Sequence, residues 1–125
     1  MILIYIAGKY TDKTFAGVDR NIKIADALGQ KVVRQFGRLD VFVMIPHNNT
    51  PLHWDGIQPN EWFYDATIEL LNRCDAMVYV DGDELRSHGT RGEIDFCIKN
   101  NKPYFPGSEL GFAEFEEWLN SKLLT

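Results

Sequence analysis

The sequence predicts a doubly wound α/β domain: a three-layer sandwich whose parallel sheet of about four to five strands lies between two layers of helices. Three observations lead there. Short runs of apolar, β-branched and aromatic residues read as strands buried on both faces. Longer segments with apolar residues at steps of three and four separate these runs and read as amphipathic helices. The length of 125 residues suits a single domain with one core and no separate substrate domain.

The first strand covers residues 1–7 and ends at Gly8. Thr11 and Asp12 are placed to cap a helix from about Lys13 to Phe36, on which Phe15, Val18, Ile22, Ala25, Leu28, Val32 and Phe36 share a face. After the break at Gly37-Arg38, residues 41–45 form a second strand stopped by Pro46, and strand–helix–strand implies a right-handed parallel crossover. Residues 46–58 read as a loop, long enough in a compact domain to carry function. Pro59 precedes a helix from about Asn60 to Arg73. Residues 76–80 are the third strand, and a Gly, Asp, Ser and His-rich loop leads to a helix from about Thr90 to Lys99. Residues 102–105 make a short fourth strand. A last amphipathic helix carries Phe112, Phe115, Trp118 and Leu119, with core packing the default role and a subunit contact the alternative. In such a sheet every strand-to-helix loop opens on one edge, so 8–12, 46–58 and 81–92 should gather round one crevice.

Composition narrows the function. With 45% hydrophobic and 25% charged residues and a net charge of -5, the chain is ordinary for a cytoplasmic globular protein. It lacks the basic excess of a nucleic-acid polymer binder, while a local pocket can still hold a small phosphorylated ligand. The amino-terminal apolar run is far shorter than the ~20 residues of a membrane span, so it reads as a strand and no membrane association is expected. Cys74 and Cys97 sit in apolar helical patterns and read as buried thiols in a reducing compartment. His47, His53 and His88 share no ligand spacing with the aspartates, and neither metal nor cofactor is expected.

The chemistry concentrates between Cys74 and Glu93. Glu93, expected in the first turn of its helix, is either a nucleophile for an electron-poor carbon or a carboxylate stabilised by the helix dipole. Tyr5, in mid-strand, needs a partner for its hydroxyl, which is either Glu93 or a backbone group. Gly8, Gly89 and Gly92 permit close backbone approach to a ligand, and Ser87, Thr90 and the helix amides suit a phosphate. Lys9 and Arg91 are counter-charges or solvated surface. Tyr10, Trp54, Trp62 and Phe63 are available to stack on a base, and Asn49 is a further polar candidate in the long loop. Asp81, Asp83 and Glu84 are a solvated tip, a source of a general acid or a ribose contact.

Taken in order, Tyr5-Ile-Ala-Gly8, Leu70-Leu-Asn-Arg-Cys-Asp-Ala-Met-Val78, Ser87-His-Gly-Thr-Arg-Gly-Glu93 and Asn101-Lys-Pro103 resemble the nucleoside 2-deoxyribosyltransferase-like family, in particular its short bacterial and phage members. The resemblance covers most of residues 2–105. It implies a flavodoxin-like, Rossmann-like sheet, a homo-oligomer, and a nucleoside or nucleotide substrate cleaved at its N-glycosidic bond. Glu93 would attack the sugar C1′, Tyr5 would orient it, and water or a second base would resolve the intermediate. Ser87 matches a phosphate contact of nucleoside 5′-monophosphate N-glycosidases, where the transferases carry an aspartate. Thr67 stands where the family usually has an aspartate that helps protonate the departing base. A hydroxyl is a poor general acid, and Asp65, roughly 200° away round the helix, faces elsewhere. Either Asp81, Asp83 or His88 takes that role, or the chain binds a nucleotide without efficient cleavage. Lys9 replaces a frequent proline and offers a further phosphate contact.

Overall fold

A computed structural model describes residues 1–50, 54 and 56–124. In chain order the elements are β1 (Ile2–Ala7), α1 (Phe15–Phe36), β2 (Val41–Met44), the short helical turn α2 (Pro46–Asn49), α3 (Asn60–Asn72), β3 (Ala76–Tyr79), α4 (His88–Lys99), β4 (Tyr104–Pro106) and α5 (Glu109–Leu123). The four strands are all parallel, in the order β2-β1-β3-β4. The chain therefore leaves β1 to one side for β2 and returns to the other side for β3. Their carboxyl ends form a switch point, where the loops diverge and leave a crevice.

Strand alternation distributes the core between two layers. Ile4, Ile6, Ala76 and Val78 face α1 and α5, meeting Ala25, Leu28, Val32, Phe36, Phe112, Phe115 and Leu119. Edge-to-face ring packing ties Phe36 to Phe115 at 4.9 Å and Phe105 to Phe115 at 5.5 Å, so the apolar face of α5 serves this core. Tyr5, Ala7 and Met77 point the other way, towards α3 and α4, among Leu71, Ile94 and Cys97. That parity puts the Tyr5 hydroxyl on the α4 side of the sheet.

Several boundaries differ from the sequence reading. Thr14, not Thr11 or Asp12, caps α1 by accepting from Gly17 N, and Asp12 buttresses it by accepting from the Thr14 amide and hydroxyl, each at 3.0 Å. Residues 46–49 are helical rather than loop, because Pro46 at the first helical position needs no N–H partner and follows an extended Ile45. Ser87 accepts from Thr90 N at 3.1 Å and so starts α4 at His88. Glu93 consequently lies in the second turn, beyond the dipole-stabilised first one. β4 begins at Tyr104: Pro103 has no N–H for the ladder, although its carbonyl accepts from Met77 N at 3.0 Å.

Cys74 and Cys97 are buried free thiols, and burial pushes them up to about 11 and about 12. Among the described residues no helix is long and apolar enough to cross a membrane. His53, one of the three histidines considered, and the central part of the 46–58 stretch lie outside the described residues.

Candidate functional site

The crevice at the carboxyl edge is a cleft of about 860 Å³, within the usual range for small-molecule sites. Its walls are the β1–α1 loop, α2, one face of α3, and the approach to α4. At its floor the Tyr5 hydroxyl donates to Glu93 Oε2. Tyr5 is fully buried and Glu93 is 6% exposed. Two chain-distant residues meet because β1 sends Tyr5 to the α4 side while the second turn of α4 turns Glu93 back over the strand ends.

Burial dominates the electrostatics of this pair. Desolvation disfavours the Glu93 carboxylate and pushes its pKa up to about 7, with the Tyr5 hydrogen bond pulling the other way. The Tyr5 hydroxyl is held well above its ordinary value, first by burial and then by the Glu93 charge, so the shared proton stays on the phenol. A Glu93 carboxyl pushed up towards neutrality is suited to nucleophilic or acid–base work.

Beside the pair, the loops are fastened by Asp83. Its carboxylate accepts from Lys9 N at 2.8 Å and pairs with Arg86 at 3.3 Å, which joins the β1–α1 loop to the β3–α4 loop. Gly8 permits this approach, since a Cβ there would come within 2.9 Å of Val80 Cγ2. Gly82, at φ 93°, supplies the left-handed turn that brings Asp83 round. On the opposite wall, buried His47 holds Nε2 at 3.1 Å from the carbonyls of both Gly8 and Lys9, so Nε2 carries the proton. Desolvation keeps the ring neutral by lowering its pKa. Tyr10 packs edge-on against it at 5.6 Å and donates to the Thr50 carbonyl at 2.6 Å.

The structure brings Tyr5, Gly8, Lys9, Tyr10, Thr67, Ser87, His88, Gly89 and Glu93 to this one cleft. Of the other rings offered for stacking Phe63 also lines it, and the remaining candidates do not. Asp81 and Asn49 are exposed away from the lining, and Trp54 is 40% exposed outside it. Asp83 is buried and committed to Lys9 and Arg86, which removes it as a free proton donor. Thr90 is fully buried beneath the helix start, and the missing Cβ of Gly92 makes room for Tyr64 rather than opening onto the cleft. Thr67 donates to the Tyr64 carbonyl at 2.7 Å and lies against the Tyr5 hydroxyl, so its proton is already engaged.

Tyr64, Arg86 and His47 line the cleft without having been singled out as ligand contacts. For Tyr64 the signal was available, since it precedes Thr67 by three positions and shares its helix face. Arg86 immediately precedes the Ser87 cap, where a cation flanks the α4 amides. Among the described residues no cluster of three or more His, Cys, Asp or Glu is arranged to hold a metal ion. Neither a protein-family model nor a curated protein matches the chain.

Proposed function

We propose that this chain acts on the N-glycosidic bond of a (deoxy)nucleoside 5′-monophosphate. The observation that carries the reading is the Tyr5–Glu93 hydrogen bond at the floor of the switch-point cleft. In the forward step ionised Glu93 attacks C1′, the C1′–N bond breaks, and its electron pair leaves with the base. Water or a second base then adds to C1′ and frees Glu93. Tyr5 donates to the carboxylate oxygen that it already holds, fixing the other oxygen for attack. The amide end of α4 at Ser87 to Gly89, with Lys9 and Arg86 nearby, suits the phosphate. Ser87 and Glu93 are separated by about 9 Å along the helix, at 1.5 Å per residue, which leaves room for phosphate at one end and sugar at the other.

One observation favours a second reading, in which the same cleft binds a nucleotide without cleaving it. Thr67 gives its proton to a backbone carbonyl and Asp83 is tied to the loops. Apart from Glu93, the carboxyl lining the cleft among the described residues is Asp12, which the Thr14 amide holds below the usual carboxylate range and hence ionised. Chromatography of free base from a panel of nucleoside 5′-monophosphates separates the two. The first reading expects base release that Glu93→Ala abolishes with the fold intact. Calorimetric binding without release of any base would establish the second.

A further inference from the structure

We propose that the Tyr64 hydroxyl is the hydrogen-bond donor that meets the base of the bound nucleotide. This rests on the nucleotide reading of the cleft but not on whether cleavage occurs. Tyr64 lines the cleft from α3, and its side chain is at the surface of the wall, 37% exposed, rather than in the core. Its hydroxyl has no hydrogen-bond partner among the described residues, in contrast to Tyr5, whose proton is given to Glu93, and Tyr10, whose proton goes to Thr50.

The position of this phenol is built into the neighbouring helix. A Cβ on Gly92 would lie 2.2 Å from the Tyr64 hydroxyl oxygen and 3.2 Å from Cζ, so Tyr64 occupies the space that the glycine leaves open on α4. Gly92 immediately precedes Glu93, and the phenol is close enough for the Glu93 charge to act on it. Burial, and then the Glu93 charge, hold the Tyr64 phenol above its ordinary pKa, so it remains a donor across neutral pH. With phosphate at the start of α4 and sugar at Glu93, the wall left to face the base is α3. Tyr64 and Thr67 stand there, and Thr67 has its proton engaged.

The test measures calorimetric affinity for the four deoxynucleoside 5′-monophosphates and for 2-deoxyribose 5-phosphate, which lacks a base. Tyr64→Phe retains the ring and should weaken the best nucleotide roughly three- to tenfold, the range for one neutral hydrogen bond, while leaving the sugar phosphate unchanged. Gly92→Ala should displace the phenol and weaken nucleotide binding similarly. In the Tyr64→Phe background the 2.2 Å oxygen clash is gone and only the 3.2 Å approach to Cζ remains, so adding Gly92→Ala should cost less than it does in the wild type. Unchanged nucleotide affinity in Tyr64→Phe overturns the inference and leaves the nucleotide reading standing. Equal weakening of nucleotide and sugar phosphate moves the contact off the base and also overturns it. A wild-type chain that binds none of these ligands overturns both.

Discussion

Replacing Glu93 by Gln should stabilise the protein above neutral pH and leave its stability nearly unchanged in acid. Burial lifts this carboxyl from 4.5 to about 7 in the folded chain. In the unfolded chain it ionises near its ordinary value. Between those two pH values the folded state retains a proton that the unfolded state has released, so stability is highest at the acid end and falls as pH rises through the window. At about 1.4 kcal/mol per pH unit, the whole window corresponds to roughly 3 kcal/mol. Glutamine keeps the shape and still accepts the Tyr5 hydroxyl through its carbonyl oxygen, but it cannot ionise. Urea unfolding at about pH 4 should give coincident midpoints for the two proteins. At about pH 8.5 the variant's midpoint should lie higher by about 1–3 M, given slopes of about 1–3 kcal/mol per M. A difference that does not vary with pH, or a variant less stable than wild type in base, would refute the reasoning, because the carboxylate would then be well solvated or paired where it lies.

The rate of base release should follow the ionised fraction of Glu93, dropping about tenfold per pH unit below about pH 7. Tyr5→Phe removes the hydrogen bond that opposes desolvation, so its pH–rate profile should have an acid limb displaced to higher pH; an unmoved limb would separate Tyr5 from the carboxylate's ionisation. Asp83→Ala leaves the Lys9 N–H without its acceptor and should cost about 1–3 kcal/mol in thermal unfolding, with Asp83→Asn recovering most of that through its carbonyl oxygen. Gly111→Ala should destabilise by more than about 2 kcal/mol, since its Cβ would lie 1.9 Å from the Pro106 carbonyl oxygen, a backbone atom that cannot swing away. Gly89→Ala meets nothing nearer than Ser87 Oγ at 3.7 Å, so with Ala's better helix propensity it should keep or slightly raise the unfolding midpoint and still reduce nucleotide phosphate binding measured by calorimetry.

The strands were legible because burial on both faces leaves uninterrupted apolar runs, and the helices because α1, α3 and α5 each keep an apolar face against the sheet. For Tyr5 the residues left Glu93 and a backbone group as alternative partners; the family resemblance implied Glu93, to which the hydroxyl donates. Helix starts were less legible. His88-Gly89 has poor intrinsic helix propensity, and it is the Ser87 side chain taking Thr90 N that recruits these residues into α4. Asp83 read as part of a solvated acidic tip because its partners, Lys9 N and Arg86, come together only through the β1–β3 neighbourhood. For Tyr64 the spacing to Thr67 recorded a shared helix face but not the position of its hydroxyl. Its place is fixed by an absent Cβ on a different helix, and no pattern within α3 records that.

The Tyr5–Glu93 pair makes a poor device for stability. Its carboxyl sits in apolar surroundings with one side-chain donor, and its ionisation near neutrality works against the fold. Local choices elsewhere in the chain agree with the architecture: capped helices, buried rings in contact, and loop amides with acceptors. A buried ionisable group that opposes them, lying at the switch point between β1 and β3 and at the floor of a large cleft, is where a departure from consistency points to use rather than to packing. Two apolar side chains of similar size would fill the same space without the desolvation. The loop framework of Asp83, Lys9 and Arg86, with His47 Nε2 against the Gly8 and Lys9 carbonyls, is held by its own hydrogen bonds and ion pair. It holds the cleft open round the pair without spending Glu93 on structure, which leaves that carboxyl available for a ligand.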